Sequence, residues 1–212
     1  MSVALVLGVL GFFSGVHSDT PVNLNVYYES MCPDSALFFR EQLVNVQSKI
    51  PSYLNIELFP YGNAHYSGQH DEYTFTCQHG PNECYGNMVQ TCYIELVNNT
   101  DSRIKFINCA FKERDQSKSL GKCIPDVDLR RQVKKCVTGP LGRNLEYEVA
   151  KKTESLNPRH SFIPWITVNG KGDASLNDKA NENLMSVVCD EISDPKPDAC
   201  LKNKWKIYRN FF

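Results

Sequence analysis

The chain has 212 residues, with 23 basic and 24 acidic side chains and a net charge of −1. That length suits one domain, or one domain with an insertion, and is enough to bury a substantial core. The balanced charge provides no field that would draw the chain to nucleic acid, so nucleic-acid binding is set aside.

Residues 1–18, MSVALVLGVLGFFSGVHS, carry no Asp, Glu, Lys or Arg, and their apolar run through Phe13 leads to Val16 and Ser18, which fit a signal-peptidase site. A secretory signal peptide is expected here, with the mature protein starting near Asp19. No later run has the apolar length of a transmembrane helix, and the last residues are not an ER-retention sequence. Secretion is the expected destination, with a lysosomal one as the alternative.

Val22 to Tyr28, VNLNVYY, alternates apolar and polar residues and is rich in β formers, which predicts a strand. Cys32 and Pro33 follow, and then Ala36, Phe39, Leu43, Val46 and Ile50 recur at spacings of three and four. This predicts a helix with Pro in its first turn and a stop at Ile50-Pro51. Leu54 to Pro60, LNIELFP, is a second predicted strand, so the opening is β-α-β and parallel. Residues 61–83, rich in Gly, Asn, His and Gln, read as loop.

From Cys84 to about Cys136 the pattern turns helical, with Met88, Cys92 and Leu96 on one stripe and Leu129, Val133 and Cys136 on another. Five of the nine cysteines fall in this stretch, and the segment of about 77–137 reads as a disulfide-laced helical insertion. A helix from about Leu145 to Glu154 leads to a strand within Phe162 to Gly170, preceded by Pro164 and closed by an Asn169-Gly170 turn. A last helix around Leu176 to Val188 carries Cys189, and DPKPDAC follows as a turn that could return Cys200 to it. Residues 201–212, LKNKWKIYRNFF, interleave four basic residues with aromatics. They read as a packed or frayed terminus, with contact to an anionic surface as the alternative.

Nine cysteines in an oxidising compartment are expected to pair, and an odd count leaves one over. Cys77, Cys84, Cys92, Cys109, Cys123, Cys136, Cys189 and Cys200 are the disulfide candidates. Eight cysteines permit 105 pairings, and a short turn-rich loop favours only Cys189 with Cys200. Asn98, in the sequon NNT, is the glycosylation candidate and is expected on the surface.

Cys32 is the candidate nucleophile. A cysteine at the start of a helix meets free backbone N–H groups and the positive end of the helix dipole, and the thiolate these favour is the attacking species. The charge of Asp34 opposes that effect. Ser35 stands where a dithiol enzyme carries its second cysteine, which attacks the mixed disulfide to release reduced substrate. A serine hydroxyl cannot form a disulfide, so an adduct at Cys32 would persist until an outside thiol resolved it. The alternatives are that Cys32 is buried and inert, pairs with one of the other eight, or links two chains.

Cys77, His79 and Cys84 are metal-ligand types. Their spacing matches none of the paired zinc motifs, and neither a metal nor a cofactor is expected. No local sequence supports a cysteine-protease pairing of Cys32 with a histidine. His65, His70, His79 and His160 read as loop residues.

The stretch from Cys77 to Cys92, CQHGPNECYGNMVQTC, resembles the signature of the gamma-interferon-inducible lysosomal thiol reductase family, C-Q-H-G-x2-E-C-x2-N-x4-C. It matches at all its fixed positions: Cys77, Gln78, His79, Gly80, Glu83, Cys84, Asn87 and Cys92. PYGNA at Pro60 to Ala64, IPWITVNGK at Ile163 to Lys171 and KPDAC at Lys196 to Cys200 are similar to that family too. The resemblance implies an α/β, thioredoxin-like fold with a helical insertion, and reduction of protein disulfides by a C-x-x-C pair at acidic pH. It makes Cys32 the nucleophile, Ser35 the replacement of the resolving cysteine, and Pro164 the cis-proline that faces the active site. The departure at Ser35 leaves two functions open. One is a protein that binds or captures a protein partner without efficient dithiol reductase activity; the other is a monothiol reductase or isomerase acting on disulfide-containing proteins with an external thiol. A monomer is expected over a Cys32-linked dimer.

Overall fold

The computed structural model describes residues 20–202, so the signal-peptide segment and nearly all of the basic aromatic tail lie outside the described residues. The element order is β1 (Val22–Tyr28), α1 (Pro33–Phe38), a π-helical turn (Phe39–Leu43), α2 (Val44–Lys49), β2 (Leu54–Pro60), β3 (His65–Ser67), β4 (Thr74–Thr76), α3 (Pro81–Leu96), α4 (Thr100–Ala110), α5 (Ser119–Cys123), α6 (Val127–Thr138), α7 (Pro140–Glu154), β5 (Trp165–Val168) and α8 (Ala174–Glu191). β1 is the middle strand of a three-stranded sheet ordered β2-β1-β5. It pairs parallel with β2, from Val22↔Leu54 to Tyr28↔Pro60, and antiparallel with β5, from Leu24↔Val168 to Tyr27↔Trp165. The β-α-β opening predicted from the sequence is present, on the same strand boundaries.

β1 grows more buried toward its end. Val22, Leu24, Val26 and Tyr28 are buried along one face, and Tyr27 joins them on the other. The chain therefore enters the loop to Cys32 inside the protein. Tyr27 stacks on its register partner Phe59, ring centroids 4.7 Å apart, and Tyr28 meets Phe39 at 4.7 Å. Offset or tilted ring pairs of this kind add to ordinary apolar burial.

Helix α8 packs on β5 and against the π-helical turn, while α3 and α7 pack on β2. Two polar side chains make these junctions. β5 is an edge strand, and Asn177 of α8 takes the place of a further strand: its Oδ1 accepts from Ile166 N at 2.5 Å and its Nδ2 donates to Ile166 O at 3.0 Å. Asn177 is fully buried, and the buried backbone groups of the edge are satisfied from a side chain. Second, α8 is kinked at Asn183, where φ is −153° and ψ is 78°. Gln42, from the π-helical turn, bridges the break by donating to Glu182 O at 3.1 Å and accepting from Leu184 N at 3.2 Å.

Disulfides knit the helical layer. Cys92–Cys136 joins α3 to α6, Cys109–Cys123 joins α4 to α5, Cys77–Cys84 ties the loop before α3 to its first turn, and Cys189–Cys200 ties α8 to the segment after it. Cys32 is the free cysteine. Asn98 is exposed between α3 and α4.

Some local expectations are corrected. Residues 61–83 are not all loop: β3 and β4 form a small antiparallel hairpin with His65 opposite Thr76. Strands of three residues are too short to show a period-2 pattern. Helices α3 and α7 begin at Pro81 and Pro140, ahead of the apolar stripes, because proline is well suited to the first helical position.

Candidate active site

Cys32 is the N-cap of α1, with extended backbone (φ −70°, ψ 122°) and Pro33 and Asp34 in the first turn. Its Sγ accepts from Ser35 N at 3.5 Å and lies 3.8 Å from the Ile163 carbonyl oxygen, to which the thiol donates. The residue is 9% exposed and Ser35 is fully buried. Ser35 Oγ accepts from Glu29 N at 3.5 Å. Cys32 and Ser35 therefore lie in the same first turn of α1, joined through the Ser35 backbone N–H.

The Ile163–Pro164 peptide is cis, and it delivers the Ile163 carbonyl to Cys32. Beside it opens a cleft of about 410 Å³ lined by Leu37, Phe38, Phe162, Ile163 and Pro164, with Asp34, Glu41, Gln42 and Asn181 as its polar lining. Leu37, an apolar side chain of the first helix on this cleft, is 49% exposed.

The loop that carries Cys32 is held by α3. Glu83, Asn87 and Gln90 are fully buried polar residues, spaced four and three apart, which places them on one helical stripe. Each meets the segment from Tyr28 to Ser30. Gln90 Oε1 accepts from Tyr28 OH at 2.8 Å, Asn87 Oδ1 from Ser30 N at 2.8 Å, and the Glu83 carbonyl from Ser30 Oγ at 3.0 Å. The approach is close enough that a Cβ on Gly86 would lie 2.5 Å from Ser30 Oγ.

Below this contact, Glu83 grips His79: Oε1 accepts from His79 N at 3.0 Å and Oε2 lies 2.5 Å from His79 Nδ1. Glu29, almost fully buried, brings Oε2 to 3.5 Å from the same nitrogen and accepts from Asn63 N on Oε1 at 2.6 Å. Burial pushes the Glu29 carboxyl above its ordinary value; the Asn63 N–H and His79 oppose this, and the Glu83 charge adds to it. Gly62, with φ of +57°, lies against Glu29, and a Cβ there would meet Glu29 Cγ at 2.4 Å.

Comparisons with known proteins bear on the family and the fold. The family model "Gamma interferon inducible lysosomal thiol reductase (GILT)" matches residues 23–127. A gamma-interferon-inducible lysosomal thiol reductase of Carassius auratus is 40% identical over 185 residues, covering 85% of this chain and 72% of that protein. The chain belongs to the GILT family. The mouse (Mus musculus) protein of that name is 34% identical over the same shares, and GILT-like protein 1 of Drosophila melanogaster is 31% identical, covering 87% of this chain and 80% of that protein. Among solved structures, Chlamydia trachomatis DsbA aligns with a TM-score of 0.56 at 8% identity, covering 77% of this chain and 82% of that one. That likeness places the fold in the thioredoxin-like class. Family and fold together support chemistry of the thiol–disulfide type.

The geometry gives a role to each fixed position of the GILT signature. Cys77 and Cys84 close the turn ahead of α3, Gln78 Oε1 accepts from Asn63 Nδ2 at 2.8 Å, Gly80 is the N-cap of α3, and Cys92 anchors α3 to α6. His79, Glu83 and Asn87 make the contacts described above. The signature thus builds the mount on which the Cys32 loop sits. Sequence reasoning placed these residues in the motif without giving them this role, and it missed Glu29 and Gln90 altogether. Glu29 stands only three residues before Cys32, and Gln90 falls on the Glu83–Asn87 stripe, so both signals were available.

Proposed function

We propose that this GILT-family chain is a secreted glycoprotein with a monothiol site that captures or binds protein partners and lacks efficient dithiol disulfide reductase activity. Ser35 carries this reading. It occupies the turn of α1 that faces Cys32 Sγ, and the other eight cysteines are paired. No thiol is therefore left among the described residues to resolve an adduct.

The chemistry available is one exchange. The Cys32 thiolate attacks a sulfur of a partner disulfide, forming a Cys32–partner disulfide and releasing the other partner sulfur as a thiolate. A second, external thiol must attack that mixed disulfide to return Cys32 to its reduced state. The apolar cleft at Leu37, Phe162 and Pro164 is where an extended partner segment would lie beside the sulfur. This same cleft favours the second reading, a monothiol reductase or isomerase that depends on an external thiol.

In the proposed organisation residues 1–18 are removed as a signal peptide, residues 19–200 form the thioredoxin-like domain with an insertion at about 77–137, and the tail follows. The exposure of Asn98 supports its glycosylation, and a monomer is proposed over a Cys32-linked dimer. No helix among the described residues is long and apolar enough to cross a membrane. Export is the proposed destination, with the lysosome as the alternative, and fractionation of cells against their medium distinguishes them.

The deciding assay measures reduction of a denatured disulfide protein by wild type and Ser35→Cys, with excess small thiol, from acidic to neutral pH. The expected result is turnover by the variant and little by wild type. Equal turnover would defeat the proposal. Loss of trapped adduct in Cys32→Ala, together with slow thiol-dependent release in wild type, separates capture from monothiol catalysis.

A further inference from the structure

Glu29, His79 and Glu83 form a cluster that the thiol chemistry does not use. One ligand atom from each lies within 4.8 Å of the others. The two carboxylates are buried, with side-chain exposures of 1% and 0%, whereas His79 is 35% exposed and gives the cluster its opening to solvent. Neither carboxylate has a Lys or Arg ion-pair partner among the described residues; both turn to the one imidazole nitrogen. That nitrogen is already engaged by Glu83, and Glu29 Oε2 is left buried with no hydrogen-bond partner. A buried carboxylate oxygen without a donor is costly, and here it is aimed at a second carboxylate and an imidazole.

We propose that Glu29, His79 and Glu83 form a site for a divalent cation of the Zn2+ type. Two carboxylate oxygens and one imidazole nitrogen are a mixed donor set of the kind zinc accepts, leaving a fourth position for water on the open side. Ca2+ is disfavoured, because it takes six to eight oxygen ligands and this set offers a nitrogen in the central place. Cys77 and Cys84, which flank His79, are joined in a disulfide and do not ligate. The ion would neutralise the two buried charges and tie β1 to the turn before α3. It would thus brace the loop whose Glu29 carbonyl accepts from Cys32 N at 3.3 Å. The inference is independent of the proposed thiol function, since binding is read without any turnover.

The test uses the mature protein carrying Cys32→Ala, with its disulfides intact, so that the thiol cannot serve as a competing ligand. Chelator-treated protein is titrated with Zn2+, and separately with Ca2+, by calorimetry near neutral pH. One Zn2+ per chain is expected, with affinity weakened by roughly tenfold or more when Glu29→Gln or His79→Ala is added. His79 is the least buried of the three, so His79→Ala keeps the test valid if Glu29→Gln perturbs folding; circular dichroism checks each. Absence of saturable Zn2+ binding, unchanged affinity in a folded variant, or Ca2+ binding as tight as Zn2+ would overturn the proposal.

Discussion

Glu146 contributes stability that is greatest in acid. Its carboxyl, 2% exposed on α7, accepts a hydrogen bond from Thr91 Oγ1 at 2.6 Å. Burial pushes it up from an ordinary 4.5 to about 8, against the lowering effect of that hydrogen bond. A carboxyl raised in the folded state holds its proton there while the unfolded chain has released it. Its contribution is therefore fully present below the unfolded value of 4.5 and is lost as pH rises toward and through the folded value of about 8. At about 1.4 kcal/mol per unit, the rise from pH 4.5 to pH 7 removes roughly 3 kcal/mol of stability. Glu146→Gln replaces the protonated acid by a neutral group of the same shape, so the variant should match wild type near pH 4 and exceed it by roughly 3 kcal/mol at pH 7. Urea unfolding of both proteins, oxidised, at intervals from pH 4 to pH 8 measures this. Glu29 is shifted in the same direction and the half-buried His160, shifted down by burial, acts in the opposite one, so the comparison is the difference between the two proteins at each pH. Parallel stability curves for the two proteins, or a gap that widens toward acid, would refute the reasoning.

Four other changes probe the frame around the site. Asn177→Ala strips the buried Ile166 N–H and C=O of their partners and should cost about 3 kcal/mol in denaturant unfolding. Replacing Cys92 and Cys136 together opens a bridge with a sequence separation of 44, with an expected loss of about 4 kcal/mol on the chain-entropy scale. Gly62→Ala places a methyl group against the Glu29 carboxylate at a positive φ; it should destabilise by more than about 1 kcal/mol and change the rate at which Cys32 is labelled. Leu37→Asp, at the exposed rim of the cleft, should slow adduct formation with peptide disulfides several-fold. It should leave labelling of Cys32 by a small thiol reagent unaltered, and equal slowing of both would argue against a peptide cleft.

What the sequence made legible follows from what repeats locally. β1, β2 and the first helix announce themselves through apolar periods of two and of three to four, and the structure keeps those boundaries. The β3–β4 hairpin has only three residues per strand and no period to read. Gln42 and Asn177 were invisible for another reason. Each is an ordinary polar residue in a helix, and its importance lies in a partner 140 or 11 residues away. The same holds for the polar stripe of α3, which a hydrophobic pattern cannot show. The local spacing of Cys32 and Ser35 was plain in the sequence, whereas the Ile163 carbonyl beside the sulfur depends on the chain returning from 131 residues away.

These points bear on how the Cys32 loop is held with a serine at position 35. Ser35 is buried and its Oγ accepts from Glu29 N, so the hydroxyl is accommodated without opening the first turn. The signature residues act on the other side of the loop: Asn87 and the Glu83 carbonyl hold Ser30, and Glu83 with His79 meets Glu29. None of those contacts involves the side chain at position 35. The α3 contacts that mount the Cys32 loop are thus distinct from the side chain at position 35, which touches that loop through the Glu29 N–H. Two variants follow from this distinction. Ser35→Cys should change turnover while leaving Cys32 labelling of the folded protein governed by the same loop, whereas Asn87→Ala should alter that labelling and stability while restoring no turnover. If Asn87→Ala left both labelling and stability unchanged, the α3 stripe would not be what positions the thiol.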